Sequence, residues 1–211
     1  MARRTKQEAE ATRVQILDAA EHVFHAQGVS RATLAEVAKE AGVSRGAIYW
    51  YFENKIDLFQ AMLERMRLPL EELARASESE DEPNPLGCMR ELLIQVLTRL
   101  AQDPQTQRIH DILRYKCEYT GELLGLRERM RALCGESDQR IAKALANAVA
   151  KGQLPAQLDC PRAAVCLHAF IAGIEANWIL APKYDLAAQA AAMVDTALDM
   201  LRSSPALRRP N

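Results

Sequence analysis

The sequence predicts an all-α protein of two units, and three observations support that reading. Apolar residues recur at spacings of three and four along nearly the whole chain, and no long stretch alternates with a period of two. All nine prolines stand at or after Pro69, so the first part of the chain has no proline to break a helix. Three of the nine glycines, Gly28, Gly42 and Gly46, fall within one short segment, and six of the eleven aromatics precede residue 60. Residues 1–55 therefore read as a three-helix head, and residues 56–211 as a larger helical domain, about nine helices in all.

The elements follow in order. A first helix is expected from Glu8 to Gln27, with Ile16, Leu17, Ala20, Val23 and Phe24 on one face and Gly28 as its stop. Thr33 caps a second helix, and Glu36 reaches back to it in a capping box; Leu34, Val37, Ala38 and Ala41 carry that helix to Gly42. Ser44 caps a third through Phe52, and Asn54 caps a fourth running towards Leu73, inside which Pro69 should produce a kink or an end. The acidic stretch Ser77 to Pro85 reads as a solvated loop, Ser77 and Ser79 included. Further helices are expected over Leu86–Ala101, Gln105–Thr120, Glu122–Lys151, Pro161–Leu180 and Asp185–Arg202.

Composition excludes several classes of function. With 27 Lys+Arg against 28 Asp+Glu the net charge is -1, so any anion must be held by a local arrangement rather than by bulk charge. The five cysteines are an odd number with no C-x-x-C pair, which signals neither a disulfide framework nor a zinc site; reduced thiols in the cytoplasm are expected. A basic start (Arg3, Arg4, Lys6) without a following apolar run gives no expectation of a signal peptide. The run Ala163 to Ile174 contains His168 and is stopped by Glu175, short of the roughly 18 residues of a membrane span. A soluble intracellular protein is expected, without cofactor, metal or membrane partner.

The chemistry concentrates in TLAEVAKEAGVSRGAIYWYF, Thr33 to Phe52. Two short helices joined by a tight turn cross closely, which calls for a small residue four before the turn glycine, and Ala38 stands there. The chain must then reverse in a left-handed conformation, for which Gly42 is suited. Ile48 supplies the apolar contact that sets the crossing, with Val37 and Phe52 beside it. This is the helix-turn-helix pattern. Successive helical residues turn by about 100°, so Tyr49, Trp50, Tyr51 and Phe52 cannot share one core. With Ile48 and Phe52 inward, Arg45, Tyr49 and Trp50 face outward, where they suit DNA contact; a helical adaptor that binds protein through the same aromatics without touching DNA is the alternative. Gly42-Val43-Ser44-Arg45-Gly46 also fits G-x-S-x-G, but a nucleophile elbow needs a preceding strand. The residues before Ser44 are helical, and the four histidines form no constellation to serve as its base, so no enzyme is expected.

TLAEVAKEAGVSRGAIYWYFENKIDLF resembles the DNA-binding region of TetR-family transcriptional regulators, with its capping Thr, A-G-V, Gly, aromatic run and N-K. Tyr51 departs from the pattern, since many members have His there; a hydroxyl can still donate to a phosphate. The segments MARRTKQEAEATR, RASESEDEPNPLGCMRELL, KCEYT, ALANAV and GQLPAQLD resemble the branch that represses multidrug efflux-pump operons of the resistance-nodulation-division type.

This resemblance implies a homodimer on double-stranded operator DNA, paired through its last two helices, here Ala163 to Trp178 and the Ala-rich segment after it. Any such dimer on a palindrome needs its heads about 34 Å apart. Arg45, Tyr49 and Trp50 are then expected in the groove and Thr33, Ser44, Gly46, Tyr51 and Lys55 on phosphates, with Arg3, Arg4 and Lys6 as a nonspecific arm. It also implies a cavity for a small hydrophobic or aromatic effector. The apolar candidates for its wall are Met66, Leu70, Met89, Leu92, Leu93, Val96, Ile109, Leu113, Ile141, Leu145, Ile171 and Trp178, residues that suit a plain core equally well. His110, Arg114, His168, Glu175 and Asn177 are the polar ones. Effector binding would move the fourth helix, with Pro69 as hinge, and alter the spacing of the heads.

Overall fold

The computed structural model describes residues 6–210. They form ten α-helices: α1 (Lys6–Gln27), α2 (Leu34–Glu40), α3 (Arg45–Tyr51), α4 (Lys55–Arg67), α5 (Glu71–Glu78), α6 (Pro85–Gln102), α7 (Pro104–Tyr115), α8 (Leu124–Ala150), α9 (Cys160–Leu180) and α10 (Leu186–Ser203). An isolated antiparallel bridge joins Leu158 to Arg208, and no strand occurs among the described residues. By packing, the chain divides into two compact units. The first runs through Leu68 and resumes over Gln105–Glu128; the second comprises Pro69–Pro104 and the chain from Arg129 onward.

In the first unit α1 packs on α2 and α4, and α2 packs on α3. Ile16, Leu17, Ala20 and Phe24 of α1 are fully buried, as the helical spacing predicts, with Val37, Ile48, Leu58, Phe59 and Met62. Phe24 and Phe59 meet with ring centroids 6.1 Å apart, and each such buried side chain contributes roughly 1.5–3 kcal/mol. The caps stand where the sequence put them. The Thr33 hydroxyl accepts from Glu36 N, and the Glu36 carboxylate accepts from Thr33 N at 2.8 Å. Ser44 Oγ accepts from Ala47 N, and Asn54 Oδ1 from Asp57 N. The seventh helix ends at Tyr115 rather than at Thr120. The Lys116 carbonyl accepts from Val29 N (2.9 Å), and the Tyr119 hydroxyl donates to Leu113 O, so these groups are bonded outside the helical ladder.

The fourth helical pattern is divided at Pro69: α4 closes at Arg67, a 3-10 turn spans Leu68–Leu70, and α5 follows. The proline has no N–H for the ladder, and its ring crowds the preceding turn. Helix α5 then runs through Glu78, which corrects the expected loop. Ser77 is buried, its hydroxyl donating to Ala74 O, rather than solvated. Arg140 of α8 explains the difference. It donates to Glu78 at 2.6 Å and to both oxygens of Glu71 at 3.1 Å, neutralising carboxylates that the sequence presents as a charged run. That hydrogen bonding holds the Glu71 carboxyl below its ordinary range.

In the second unit α6 packs on α5, α9 and α10, and α9 packs on α10. Leu97, Leu100, Leu145, Leu167, Val194, Leu198 and Leu201 are buried in one continuous core. Helix α9 continues past Glu175 to Leu180, so its apolar length exceeds the segment read from sequence. At 21 residues it is long and apolar enough to cross a membrane by length and composition, yet Ala163, Ala164, Leu167 and Ile171 lie in the core.

Candidate nucleic-acid interface

The turn between α2 and α3 is a Schellman motif. Val43 N donates to Ala38 O and Gly42 N to Lys39 O, with Gly42 at φ +64°. Gln15 of α1 adds a clamp, its Nε2 donating to Ala41 O at 2.7 Å. Ala38 is buried, which lets the two helices cross closely, and Ile48 and Phe52 anchor the inner side of α3. Arg13 places its guanidinium 5.6 Å from the centre of the Phe52 ring. Neither Gln15 nor Arg13 stood out in the sequence, because a polar residue on the outer part of a long helix carries no signal of what it will reach.

With that inner side fixed, Arg45, Gly46, Tyr49 and Trp50 are exposed, Trp50 at 74% and Tyr49 at 50%. Trp50 is braced edge-to-face by the half-buried Tyr51, centroids 4.7 Å apart at 87°. A Cβ added at Gly46 would meet nothing within 4 Å, so no neighbour in the chain requires a glycine there. Ser44 and Thr33 lie exposed at the two helix starts, each hydroxyl serving its own cap. The Thr33 hydroxyl also donates to Glu36, and this bond is the main reason the Glu36 carboxyl sits below its usual range.

Lys55 makes contacts within the chain that the sequence did not suggest. Its half-buried ammonium donates to Ser30 O and Ala32 O at 3.0 Å each and ties the α1–α2 connection to the start of α4. Two carbonyls left without helical partners are satisfied by this ammonium, which gives Lys55 a structural task in the head. Lys6 is exposed at the start of α1; Arg3 and Arg4 lie outside the described residues.

The residues expected to hold an effector divide between the two units. In the second, Met89, Leu93 and Ile171 are core residues, and Val96, Ile141 and Trp178 pack against that core. Trp178 Nε1 donates to Tyr184 O, and His168 Nδ1 lies 2.6 Å from Asp138 Oδ1. Leu70, Leu92 and Glu175 are half-buried. In the first, Met66, His110 and Leu113 are half-buried, and Arg114 is exposed. A depression of about 390 Å³ opens at Glu53, Asn54, Ile56, Asp57 and Gln60, and none of the expected effector residues lines it.

Two family patterns match this chain. Residues 16–62 match the bacterial regulatory proteins of the tetR family, and residues 84–203 match the C-terminal region of MAATS-type transcriptional repressors. The chain belongs to the TetR family. It is accordingly a DNA-binding transcriptional regulator and not an enzyme, and the reading as a protein adaptor is overturned. The G-x-S-x-G serine is a helix cap preceded by α2, not a strand.

Among TetR-family relatives, the HTH-type transcriptional regulator TtgR of Pseudomonas putida is 51% identical over 210 residues, 99% of this chain and 100% of that one. The solved structure of NalD, the secondary repressor of the MexAB-OprM multidrug efflux pump in Pseudomonas aeruginosa, superposes with a TM-score of 0.82 at 32% identity, covering 94% of this chain and 99% of NalD. A SmeT–triclosan complex gives the same TM-score and identity over 95% and 99%. SmeT is the repressor of the Stenotrophomonas maltophilia multidrug efflux pump SmeDEF.

Proposed function

We propose that this TetR-family chain is a cytoplasmic, homodimeric repressor of a multidrug efflux operon, released from its operator by small hydrophobic or aromatic compounds. The observation that carries the DNA side is the outer surface of α3. It presents Arg45, Gly46, Tyr49 and Trp50, while Ile48 and Phe52 hold the helix from behind. An arginine suits a guanine edge, and the bare backbone at Gly46 lets the helix approach a phosphate strand. Residues 1–55 are the DNA-binding part in this reading and 56–211 the effector and dimerisation part. NalD and SmeT support the efflux assignment, and the triclosan complex supports an effector of that character.

Dimerisation uses the outward sides of α9 and α10. Val165, Ala169, Phe170 and Leu180 are exposed on α9, and Ala188 and Ala192 on α10, an apolar and small-residue surface suited to close helix packing. Binding measured on the operator and on random DNA tests the contact assignment. Arg45→Ala should lose about 1–3 kcal/mol on the operator and much less on random DNA. Equal losses on both would contradict a base-reading role.

A further inference from the structure

The first unit buries a carboxylate that its DNA contacts do not use. Glu21 of α1 is 0% exposed, and a buried charge persists only where it is paired and hydrogen-bonded. Its partners come from two other helices. Arg65 of α4 reaches Glu21 Oε1 with Nη2, and Asp18 with Nη1 at 2.7 Å. From α7, Gln105 Nε2 donates to the two Glu21 oxygens at 3.0 and 3.2 Å, and Arg108 Nη2 stands 3.6 Å from Oε2. The Nε–H groups of Arg65 and Arg108 are buried without an acceptor among the described residues. Each guanidinium thus leaves a hydrogen bond unmade while it faces Glu21, which is an unfavourable placement unless the carboxylate holds it there.

We infer that Glu21 is a positioning residue for DNA binding, a carboxylate shared by α4 and α7 where they hold α1. Helix α1 is what orients the recognition helix: Gln15 clamps the α2–α3 turn at Ala41, and Arg13 covers Phe52 at the end of α3. Because one carboxylate serves both partner helices, their contributions to operator affinity are interdependent. The inference rests on the repressor reading for its affinity readout only.

The test is a double-mutant cycle on the full-length chain, with Arg65→Gln and Arg108→Gln made singly and together, each in the native and the Glu21→Gln background. Operator affinity is read by fluorescence anisotropy, and protection of α1 amides by hydrogen exchange without DNA. Arg65→Lys, which keeps the charge and loses the fork, replaces Arg65→Gln if that variant does not fold. In the native background the pair should depart from the product of the single effects by about threefold or more, and with Glu21→Gln the departure should vanish. Effects that simply multiply in both backgrounds would overturn the shared joint. A native chain that bound no operator would fault the repressor reading instead, and the exchange cycle would then decide the joint by the same criterion.

Discussion

At the scale of single residues, the proposed DNA contact at Gly46 can be separated from folding. Nothing in the chain occupies the space beside it, and alanine is the better helix former by about 1 kcal/mol. Gly46→Ala should therefore raise the unfolding midpoint slightly while weakening operator binding, and a variant that binds as tightly as the native chain would remove Gly46 from the interface. His110 gives a prediction in pH. Burial, and then the nearby Arg114, hold its imidazole down at about 4 from an ordinary 6.5. The unfolded chain takes up that proton near 6.5, so the contribution is complete above 6.5 and is lost as the pH falls towards 4. Between pH 7.5 and pH 5 this group should remove about 2 kcal/mol of stability, a loss absent from His110→Gln. Equal pH slopes for the two proteins in thermal unfolding would contradict it. Which residues of α3 point outward was legible in the sequence, because Ile48 and Phe52 at helical spacing leave the other aromatics no room inside. The role of Lys55 was not legible, since the carbonyls of Ser30 and Ala32 that hold it belong to a connection 23 to 25 residues away.

At the scale of elements, the helix boundaries were readable wherever a side chain caps its own helix. Thr33, Ser44 and Asn54 each bond an amide three residues ahead, so the information is local. Boundaries settled by distant partners were not readable. Helix α5 reaches Glu78 because Arg140, some sixty residues on, neutralises its acids, and α7 stops early because Val29 takes the Lys116 carbonyl. The turn itself rests on Gly42 at φ +64°, with open space beside it. Gly42→Ala should then cost only the backbone strain, about 1–2 kcal/mol, seen as a lowered unfolding midpoint. Pro69 stands at the point where the chain leaves the first compact unit. Pro69→Ala should lengthen the helix, visible as a gain in helical circular dichroism, and should blunt effector release more than operator binding. Unchanged release would exclude a hinge there.

At the scale of the whole molecule, the all-α class and the order of helices follow from periodicity and from the segregation of glycine and proline. The buried charge network around Glu21 does not, because a lone glutamate on a helix reads as solvent-facing until its partners from α4 and α7 are in place. The exposed apolar side of α9 gives a prediction about assembly. Val165 is 53% exposed, so Val165→Glu should leave the monomer folded, shift the chain from dimer to monomer in sedimentation, and reduce operator affinity, since one head contacts only half a site. A folded variant that stayed dimeric would place the interface elsewhere. Ligand-released repression is tested by fluorescence anisotropy of the purified chain on the DNA upstream of its own gene, titrated with triclosan and a panel of hydrophobic antibiotics and plant phenolics. Binding in the range of about 10 nM or tighter, far above random DNA, is expected, with reversal by at least one compound. Tight binding that no compound reverses would contradict release by an effector, and binding no stronger than to random DNA would contradict operator-specific repression.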